Sequence, residues 1–159
     1  MFSTPLNTTS ASSERPKKYK LKLSATDLPA EDWNWGLKPD SSDPYLEFHV
    51  GGKKRITTEV ISEELCPEWN YIRILVWDRY LQFGSDGQKF AINDHGVMVK
   101  LKIYDEDKNK VKSDDFLGQV EMPLWKLLKT DDHMLLKENG RQVDKGSAPS
   151  VLRIEIVEI

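Results

Sequence analysis

Residues 97–107 read VMVKLKIYDED, and this stretch carries the pattern that decides the fold. From Val97 to Ile103, every second side chain is a branched aliphatic one, and methionine or lysine lies between. Successive side chains of a β-strand point to opposite faces, so this alternation predicts a strand with one face on a core and one in water. The strand runs directly into the acidic residues 105–107, which are therefore expected at one end of a sheet.

The same period-two alternation recurs elsewhere in the chain. It predicts strands at residues 19–25, 72–76 and 152–156, and further strand candidates lie at 43–50, 55–61 and 116–124, which makes seven strands separated by turn-rich segments. A short helical turn is expected at residues 123–129, and one further short strand at 89–92 inside a long connection over residues 77–94. Seven or eight strands in roughly 140 residues predict an all-β fold, an eight-stranded antiparallel β-sandwich.

The chain has 159 residues, and its length and composition fit one domain behind a polar tail. Residues 1–18 are rich in serine and threonine and cannot bury enough apolar surface to order themselves, so we expect a disordered tail and a folded domain at 19–159. The formal net charge of −3 argues against nucleic acid as the main partner. The single cysteine, Cys66, excludes an intramolecular disulfide.

Several classes of protein are disfavoured by what the sequence lacks. It has no apolar stretch long enough for a transmembrane helix and no signal-peptide core at its N-terminus, so a cytoplasmic protein is expected. The three histidines, at 49, 95 and 133, are scattered, and neither an activated thiol motif nor a glycine-rich phosphate loop is present. We therefore do not expect an enzyme.

Aspartates concentrate in two of the segments between strands. The first group is Asp32, Asp40 and Asp43, and the second is Asp105, Asp107, Asp114 and Asp115. Alternate connections of a sandwich gather at one end, so the two groups are expected to converge there. Crowded carboxylates repel one another unless a cation lies between them, and calcium accepts six to eight oxygen ligands on irregular loops. The alternative is that these aspartates only form turns, where their side chains bond to nearby backbone amides.

Five separated motifs, in order along the chain, resemble those of a C2 domain. They are Leu28-Pro29-Ala30-Glu31-Asp32, Ser42-Asp43-Pro44-Tyr45, Cys66-Pro67-Glu68-Trp69-Asn70, Ile103-Tyr104-Asp105-Glu106-Asp107 and Asp115-Phe116-Leu117-Gly118. The resemblance covers residues 19–159 and implies an eight-stranded antiparallel sandwich that binds phospholipid membranes under calcium control. The long connection at 77–94 is similar to insertions in ferlin-type C2 domains. The eighth strand and the choice between the two circularly permuted topologies of the family stay open.

The resemblance also implies a set of calcium ligands. Carried over position by position, the five aspartates of calcium-binding members are Asp32, Asp43, Asp105, Asp107 and Asp115, and all five are present here. The first loop, between residues 28 and 45, and the third loop, between residues 104 and 116, are longer than is usual in the family. This makes Asp40 an alternative to Asp32 and Asp114 an alternative to Asp115. Such a set would hold two or more Ca²⁺ ions.

Large apolar side chains accompany the aspartates in both loops. Trp33, Trp35 and Leu37 lie in the first loop, and Val111 lies in the third loop among Lys108, Lys110 and Lys112. Tryptophan favours the membrane interface, and lysines attract anionic headgroups, so these residues are candidates for membrane insertion and headgroup contact. The alternatives are tryptophans that fold back onto the sandwich and lysines on an ordinary solvated face.

A second basic group, Lys53, Lys54 and Arg55, follows two glycines at a predicted hairpin. In the family, this strand can belong to a face that binds phosphoinositides. The alternatives are a solvated hairpin or a blocked sheet edge. The sequence thus predicts a cytoplasmic protein that becomes peripheral at anionic phospholipid membranes when calcium binds. The competing hypothesis is a protein–protein interaction module in which calcium is structural or absent.

Overall fold

The computed structural model describes residues 15–29, 42–84, 87–92, 96–107, 113–145 and 148–159. A 3₁₀ helix spans Leu124–Leu128. The strands, in chain order, are β1 (Lys17–Thr26), β2 (Pro44–Val50), β3 (Lys53–Thr57), β4 (Glu68–Val76), β5 (Tyr80–Phe83), β6 (Lys89–Ala91), β7 (Met98–Asp105), β8 (Asp115–Pro123), β9 (Asp131–Met134), β10 (Asp144–Lys145), β11 (Ala148–Pro149) and β12 (Val151–Glu158).

Two antiparallel sheets pack face to face. Sheet A has the strand order β6-β5-β4-β1-β12-β9, and sheet B has the order β3-β2-β7-β8. The predicted sandwich is confirmed: β4, β1, β12 and β9 form one four-stranded layer, and sheet B forms the other. Within the described residues, the β5–β6 hairpin extends sheet A, and β10 with β11 forms a separate two-stranded ribbon.

The core follows the alternation that the sequence shows. In β7, Val99, Leu101 and Ile103 are fully buried, whereas Lys100 and Lys102 are partly exposed on the outer face. The facing layer contributes Leu21, Leu23 and Ile74 among others, all with at most 1% exposure. Truncation of one such side chain to alanine costs about 2–5 kcal/mol in comparable cores. The core therefore holds the strands in register and so positions the loops at their ends.

The structure differs from the sequence prediction in several strands. The strand predicted at 55–61 ends at Thr57, although Thr58 and Ile61 still donate backbone hydrogen bonds to β2. β4 begins at Glu68, four residues before the alternation becomes regular, because a bulge opposite Lys22 interrupts its pattern. β5 and β9, of four residues each, are too short for the alternation to identify. The eighth strand of the sandwich is β9.

The hairpin β5–β6 ties the two sheets together at one side. Phe83 packs against Phe48 of sheet B, with ring centroids 4.9 Å apart. The guanidinium of Arg55 lies 4.9 Å from the centroid of the Phe90 ring, and its Nη1 donates a 2.9 Å hydrogen bond to Gln88 Oε1. The long connection predicted at 77–94 thus contains ordered structure, including the short strand expected near residue 89.

The strand β12 lies between β1 and β9 in sheet A. Leu21 of β1 pairs with Ile156 of β12 and, on its other side, with Ile72 of β4. The place between β1 and β9 is therefore taken by a strand from the C-terminal part of the chain. Of the two circularly permuted topologies, the chain has the one in which the C-terminal strand takes this place. β1 begins at Lys17, inside the segment predicted as a tail. No helix within the described residues is long and apolar enough to cross a membrane.

Candidate functional site

The register of sheet B brings aspartates from three strand ends together. Asp105, the last residue of β7, pairs with Pro44 at the start of β2 and with Asp115 at the start of β8. Asp43 directly precedes β2. The order β2-β7-β8 therefore places Asp43, Asp105 and Asp115 side by side at one end of the sheet. We call this end, with Asp107 and Asp114 of the adjoining connection, the aspartate tip.

Two of these carboxylates are almost completely buried. The exposed fraction is 4% for Asp43 and 2% for Asp105. A buried charge requires compensating partners, and backbone amides supply some of them here. The Asp43 N–H donates to Asp105 Oδ1 at 2.8 Å, and the Glu106 N–H donates to the Asp43 carbonyl at 3.0 Å. Asp43 and Asp105 are therefore held against each other with their positions set by the strand ends.

A third connection, between β3 and β4, also meets the tip. Glu63 has a left-handed backbone conformation, with φ of 54°, and its N–H donates to Asp43 Oδ1 at 2.7 Å. The Glu64 N–H donates to the Ser42 carbonyl, and Ser42 Oγ donates to the Pro29 carbonyl at 2.8 Å. These bonds fix the carboxylate of Asp43 and join the two flanks of the first aspartate-bearing connection. No side-chain pattern marks Glu63, because its contribution comes from its backbone.

Asp114 has a structural role at the base of the third loop. Its Oδ1 accepts the Asp107 N–H at 2.8 Å, and its Oδ2 accepts the Tyr45 hydroxyl at 2.5 Å. Both flanks of the connection at 108–112 are thereby joined. Burial, and next the hydrogen bond to Asp114, raise the pKa of the Tyr45 phenol above its ordinary value. Sequence reasoning took Tyr45 only as part of a motif, whereas here it anchors Asp114.

Aromatic rings support this end of sheet B from its outer face. Tyr45 stacks on Tyr104 with centroids 5.6 Å apart, and Tyr104 meets the Phe116 ring edge-on at the same distance. Burial, with a smaller contribution from the nearby Glu47, raises the pKa of Tyr104. The three rings come from β2, β7 and β8, the strands that carry the aspartates. Their packing holds the ends of these three strands in fixed positions relative to one another.

Of the predicted ligands, the structure brings together Asp43, Asp105, Asp107, Asp114 and Asp115. The residues described include no group of three or more His, Cys, Asp or Glu side chains arranged to hold a metal ion. The assignment of calcium ligands therefore stays a prediction. The remaining predicted site residues of the two loops lie outside the described residues: Asp32, Trp33, Trp35, Leu37, Asp40, Lys108, Lys110, Val111 and Lys112.

The second basic group divides into two parts. Lys53 and Lys54 are exposed at the hairpin between β2 and β3, and Lys54 Nζ lies 3.5 Å from Glu47 Oε2. The guanidinium of Arg55 lies over the Phe90 ring and donates hydrogen bonds to Gln88 Oε1 and to the Val50 carbonyl. The two lysines are thus accessible to a ligand, whereas Arg55 has a structural role.

A family model for the C2 domain matches residues 21–138, most of the chain. The chain belongs to the C2 domain family. Among relatives, extended synaptotagmin-1 of Mus musculus is 31% identical over 107 residues, which are 67% of this chain and 8% of that protein. Protein C2-DOMAIN ABA-RELATED 1 of Arabidopsis thaliana is 31% identical over 81 residues, 51% of this chain and 38% of that protein. The C2 domain thus spans a small part of the first relative and less than half of the second.

Solved structures agree with this fold. A single C2 domain of plant extended synaptotagmin 1 superimposes with a TM-score of 0.56 at 17% identity, covering 91% of this chain and 96% of that one. A calcium-bound pair of C2 domains from extended synaptotagmin 2 gives a TM-score of 0.53 at 22% identity, covering 91% of this chain and 46% of that one. At these identities, the likeness concerns the fold alone.

Proposed function

We propose that this C2 domain binds anionic phospholipid membranes in a calcium-dependent way through the aspartate tip. The observation that carries the proposal is the convergence of Asp43, Asp105 and Asp115 from three adjacent strands. Neighbouring carboxylates, two of which are buried here, repel one another, and a cation bound between them would remove that repulsion. Oxygen ligands on connecting loops suit calcium better than zinc, which prefers histidine and cysteine, or magnesium, which requires a regular octahedron.

The described residues have distinct roles in this proposal. Asp43 and Asp105 would bind the ion from the sheet side, where backbone N–H groups already orient one oxygen of each. Asp115 and Asp107 would bind it from the third loop. Asp114 accepts hydrogen bonds at both oxygens and would hold the base of the third loop in place. Bound calcium would supply positive charge and open coordination positions for lipid phosphate oxygens.

The charge change explains how calcium would control membrane binding. Without the ion, the carboxylates repel an anionic bilayer. Two Ca²⁺ ions would add four positive charges and so offset most of the five negative charges of the predicted ligands. Insertion of Trp33, Trp35, Leu37 and Val111, and headgroup contact by Lys108, Lys110 and Lys112, belong to this proposal as predictions from the sequence. Each buried apolar side chain would contribute about 2 kcal/mol, and each lysine near the surface about 1 kcal/mol.

Two comparisons support the proposal at the level of the family. The C2 resemblance implies membrane binding as a common activity, and the similar structure of extended synaptotagmin 2 is described as calcium bound. The proposal does not extend to catalysis, because the family resemblance implies a binding module. It also leaves the whole-protein activities of longer relatives aside, since this chain matches a small part of them.

Sedimentation with phosphatidylserine vesicles, in calcium and in chelator, tests the proposal. We expect the protein to sediment only with calcium, and we expect Asp105→Asn combined with Asp107→Asn to abolish sedimentation. The matched control is Asp131→Asn combined with Asp132→Asn, which removes two exposed carboxylates on β9. Thermal unfolding in chelator shows whether each variant folds. Asp115→Asn, at a half-buried position, repeats the test if the double variant does not fold.

Calcium-dependent sedimentation that persists in both tip variants would contradict the proposal. Sedimentation in calcium and chelator alike would also contradict it, and would direct attention to Lys53 and Lys54. Absence of sedimentation in both conditions would favour the competing hypothesis of a protein–protein interaction module, with calcium structural or irrelevant.

A further inference from the structure

An open groove of about 810 Å³ lies along β1 and β4 of sheet A and reaches Ile56 of β3 and Gly84 after β5. Its polar lining comes from Lys18, Lys20, Tyr71 and Arg73, and we call this set the basic groove. Lys20 and Arg73 alternate with the buried residues Leu21 and Ile72, so they project from the outer face of the sheet. Leu75 and Ile159 add apolar surface to the lining.

The cations of the basic groove face one another. Lys20 and Arg73 are direct cross-strand partners in the β1–β4 register. Both flank the same ring: Lys20 Nζ lies 5.2 Å from the Tyr71 centroid, and Arg73 Cζ lies 5.8 Å from it. Like charges directly opposite each other in a sheet are destabilising. This arrangement therefore opposes stability and calls for an explanation.

No acidic partner offsets these charges within the part of the chain that the structure describes. There, no carboxylate lies within ion-pair distance of Lys18, Lys20 or Arg73. The acidic residues nearby, Glu68 and Glu155, line an adjoining, smaller groove together with Lys22, on the other side of Tyr71. Lys22 pairs with Glu155 in the β1–β12 register, so that neighbouring surface is balanced. The basic groove has a surplus of positive charge.

We propose that the basic groove binds an organic anion that carries several phosphate groups. The planar guanidinium of Arg73 can donate two parallel hydrogen bonds to one phosphate, and the two lysines can neutralise a second. Tyr71 Oη accepts a 3.5 Å hydrogen bond from Arg73 Nη2, which leaves the phenolic proton to donate to the ligand. Leu75 and Ile159 provide apolar contact for a carbon ring. A bound polyanion would replace the repulsion between Lys20 and Arg73 by attraction.

This site is separate from the aspartate tip and from Lys53 and Lys54. β1 runs toward the tip, with Lys18 and Lys20 in its first half. Arg73 lies on β4 beyond its midpoint, on the way from the tip to the far end of the sandwich. Lys53 and Lys54 lie at the hairpin end of β3 and do not line the groove, although Ile56 further along the same strand does. The ligand would therefore bind without calcium, and its binding does not depend on the proposed function of the tip.

Titration calorimetry in chelator at low salt, with inositol 1,4,5-trisphosphate as the probe, tests this proposal. We expect Lys20→Gln combined with Arg73→Gln to weaken binding at least tenfold. Lys53→Gln combined with Lys54→Gln removes the same number of charges from sheet B and should change affinity less than threefold. Because all four positions are at the surface or half-buried, both variants should fold.

A second arm distinguishes a free phosphate from a lipid headgroup. If the source is a lipid, the wild-type protein should sediment in chelator with vesicles that contain phosphatidylinositol 4,5-bisphosphate. The variant that combines Lys20→Gln with Arg73→Gln should then not sediment with them. Groove-dependent binding of the soluble probe alone would identify a free organic phosphate, and either result supports the site. Absence of binding to both probes, or equal losses in the two double variants, would overturn it.

Tyr71→Phe should weaken binding of inositol 1,4,5-trisphosphate about threefold, since it removes one hydrogen-bond donor.

Discussion

The aspartate tip and the basic groove are both concentrations of like charge, yet the protein holds them in different ways. Asp43 and Asp105 are buried, and backbone N–H groups of Asp43 and Glu63 point at their oxygens. Lys20 is half-buried and Arg73 is exposed, and both lie beside the ring of Tyr71. Burial raises the cost of an unpaired charge, so the tip requires built-in donors. Water screens the groove, which can keep its charges unpaired until a ligand arrives.

The sharpest way to separate the two regions is their response to calcium. If the tip binds calcium only in the native state, the free energy of unfolding should rise by about 2.7 kcal/mol at one hundred times the dissociation constant. Asp105→Asn should lose most of this gain. Lys20→Gln combined with Arg73→Gln should retain it in full.

Urea denaturation in calcium and in chelator measures these differences. The chelator baseline of each variant is the control, because Asp105→Asn also weakens the hydrogen bond from the Asp43 N–H. An equal calcium gain in the wild type and in Asp105→Asn would show that the tip is not where calcium acts.

The two regions also differ in their tyrosines: Tyr45 of the tip is partly buried and bonded to Asp114, whereas Tyr71 of the groove is exposed. Tyr45→Phe should lower the free energy of unfolding by about 1–2 kcal/mol, because Asp114 loses a charge-assisted hydrogen bond. Tyr71→Phe should leave the free energy of unfolding almost unchanged, since that phenol is at the surface. Arg73, mainly through its hydrogen bond, lowers the pKa of Tyr71.

The raised pKa of Tyr45 should also make the stability of the protein depend on pH in the alkaline range. The pKa of Tyr45 is raised in the native state, so above the ordinary value of 10.0 the unfolded chain releases a proton that the native chain retains. The stability of the wild type should therefore be fully present below pH 10 and decline as the pH rises above it. Tyr45→Phe should flatten that decline, as measured by urea denaturation across this range. An identical decline in both proteins would place the titrating group elsewhere.

The smallest expected effect concerns the repulsion in the basic groove. Lys20→Gln should raise the free energy of unfolding by about 0.2–1 kcal/mol, because it removes a like charge opposite Arg73. Lys22→Gln, two residues further along β1, should not stabilise, since Lys22 lies directly opposite the acidic residue Glu155 in the β1–β12 register. The gain should shrink in 1 M salt, where charges at the surface are screened. Stabilisation by both variants alike would mean that general net charge, rather than this pair, is responsible.

Sequence reasoning could predict the tip because each aspartate directly adjoins an alternating strand. The order of strands in sheet B then brings Asp43, Asp105 and Asp115 together. It could not predict the basic groove, because Lys20 and Arg73 read as ordinary solvated positions of two strands far apart in the chain. Only the register of β1 against β4 makes them neighbours. Arg55 shows the reverse case: it reads as a ligand for phosphate, but the β5–β6 hairpin occupies it.

The position of β12 between β1 and β9 also governs how the chain folds. β1 enters the sheet from the start of the described chain, and its partner β12 comes from the end, so this pairing is among the least local in the molecule. Closing so long a loop makes folding slow compared with proteins of local contacts. During synthesis, one side of β1 must wait unpaired until β12 has left the ribosome. The centre of sheet A is consequently completed last, after the strands that carry Asp43, Asp105 and Asp115.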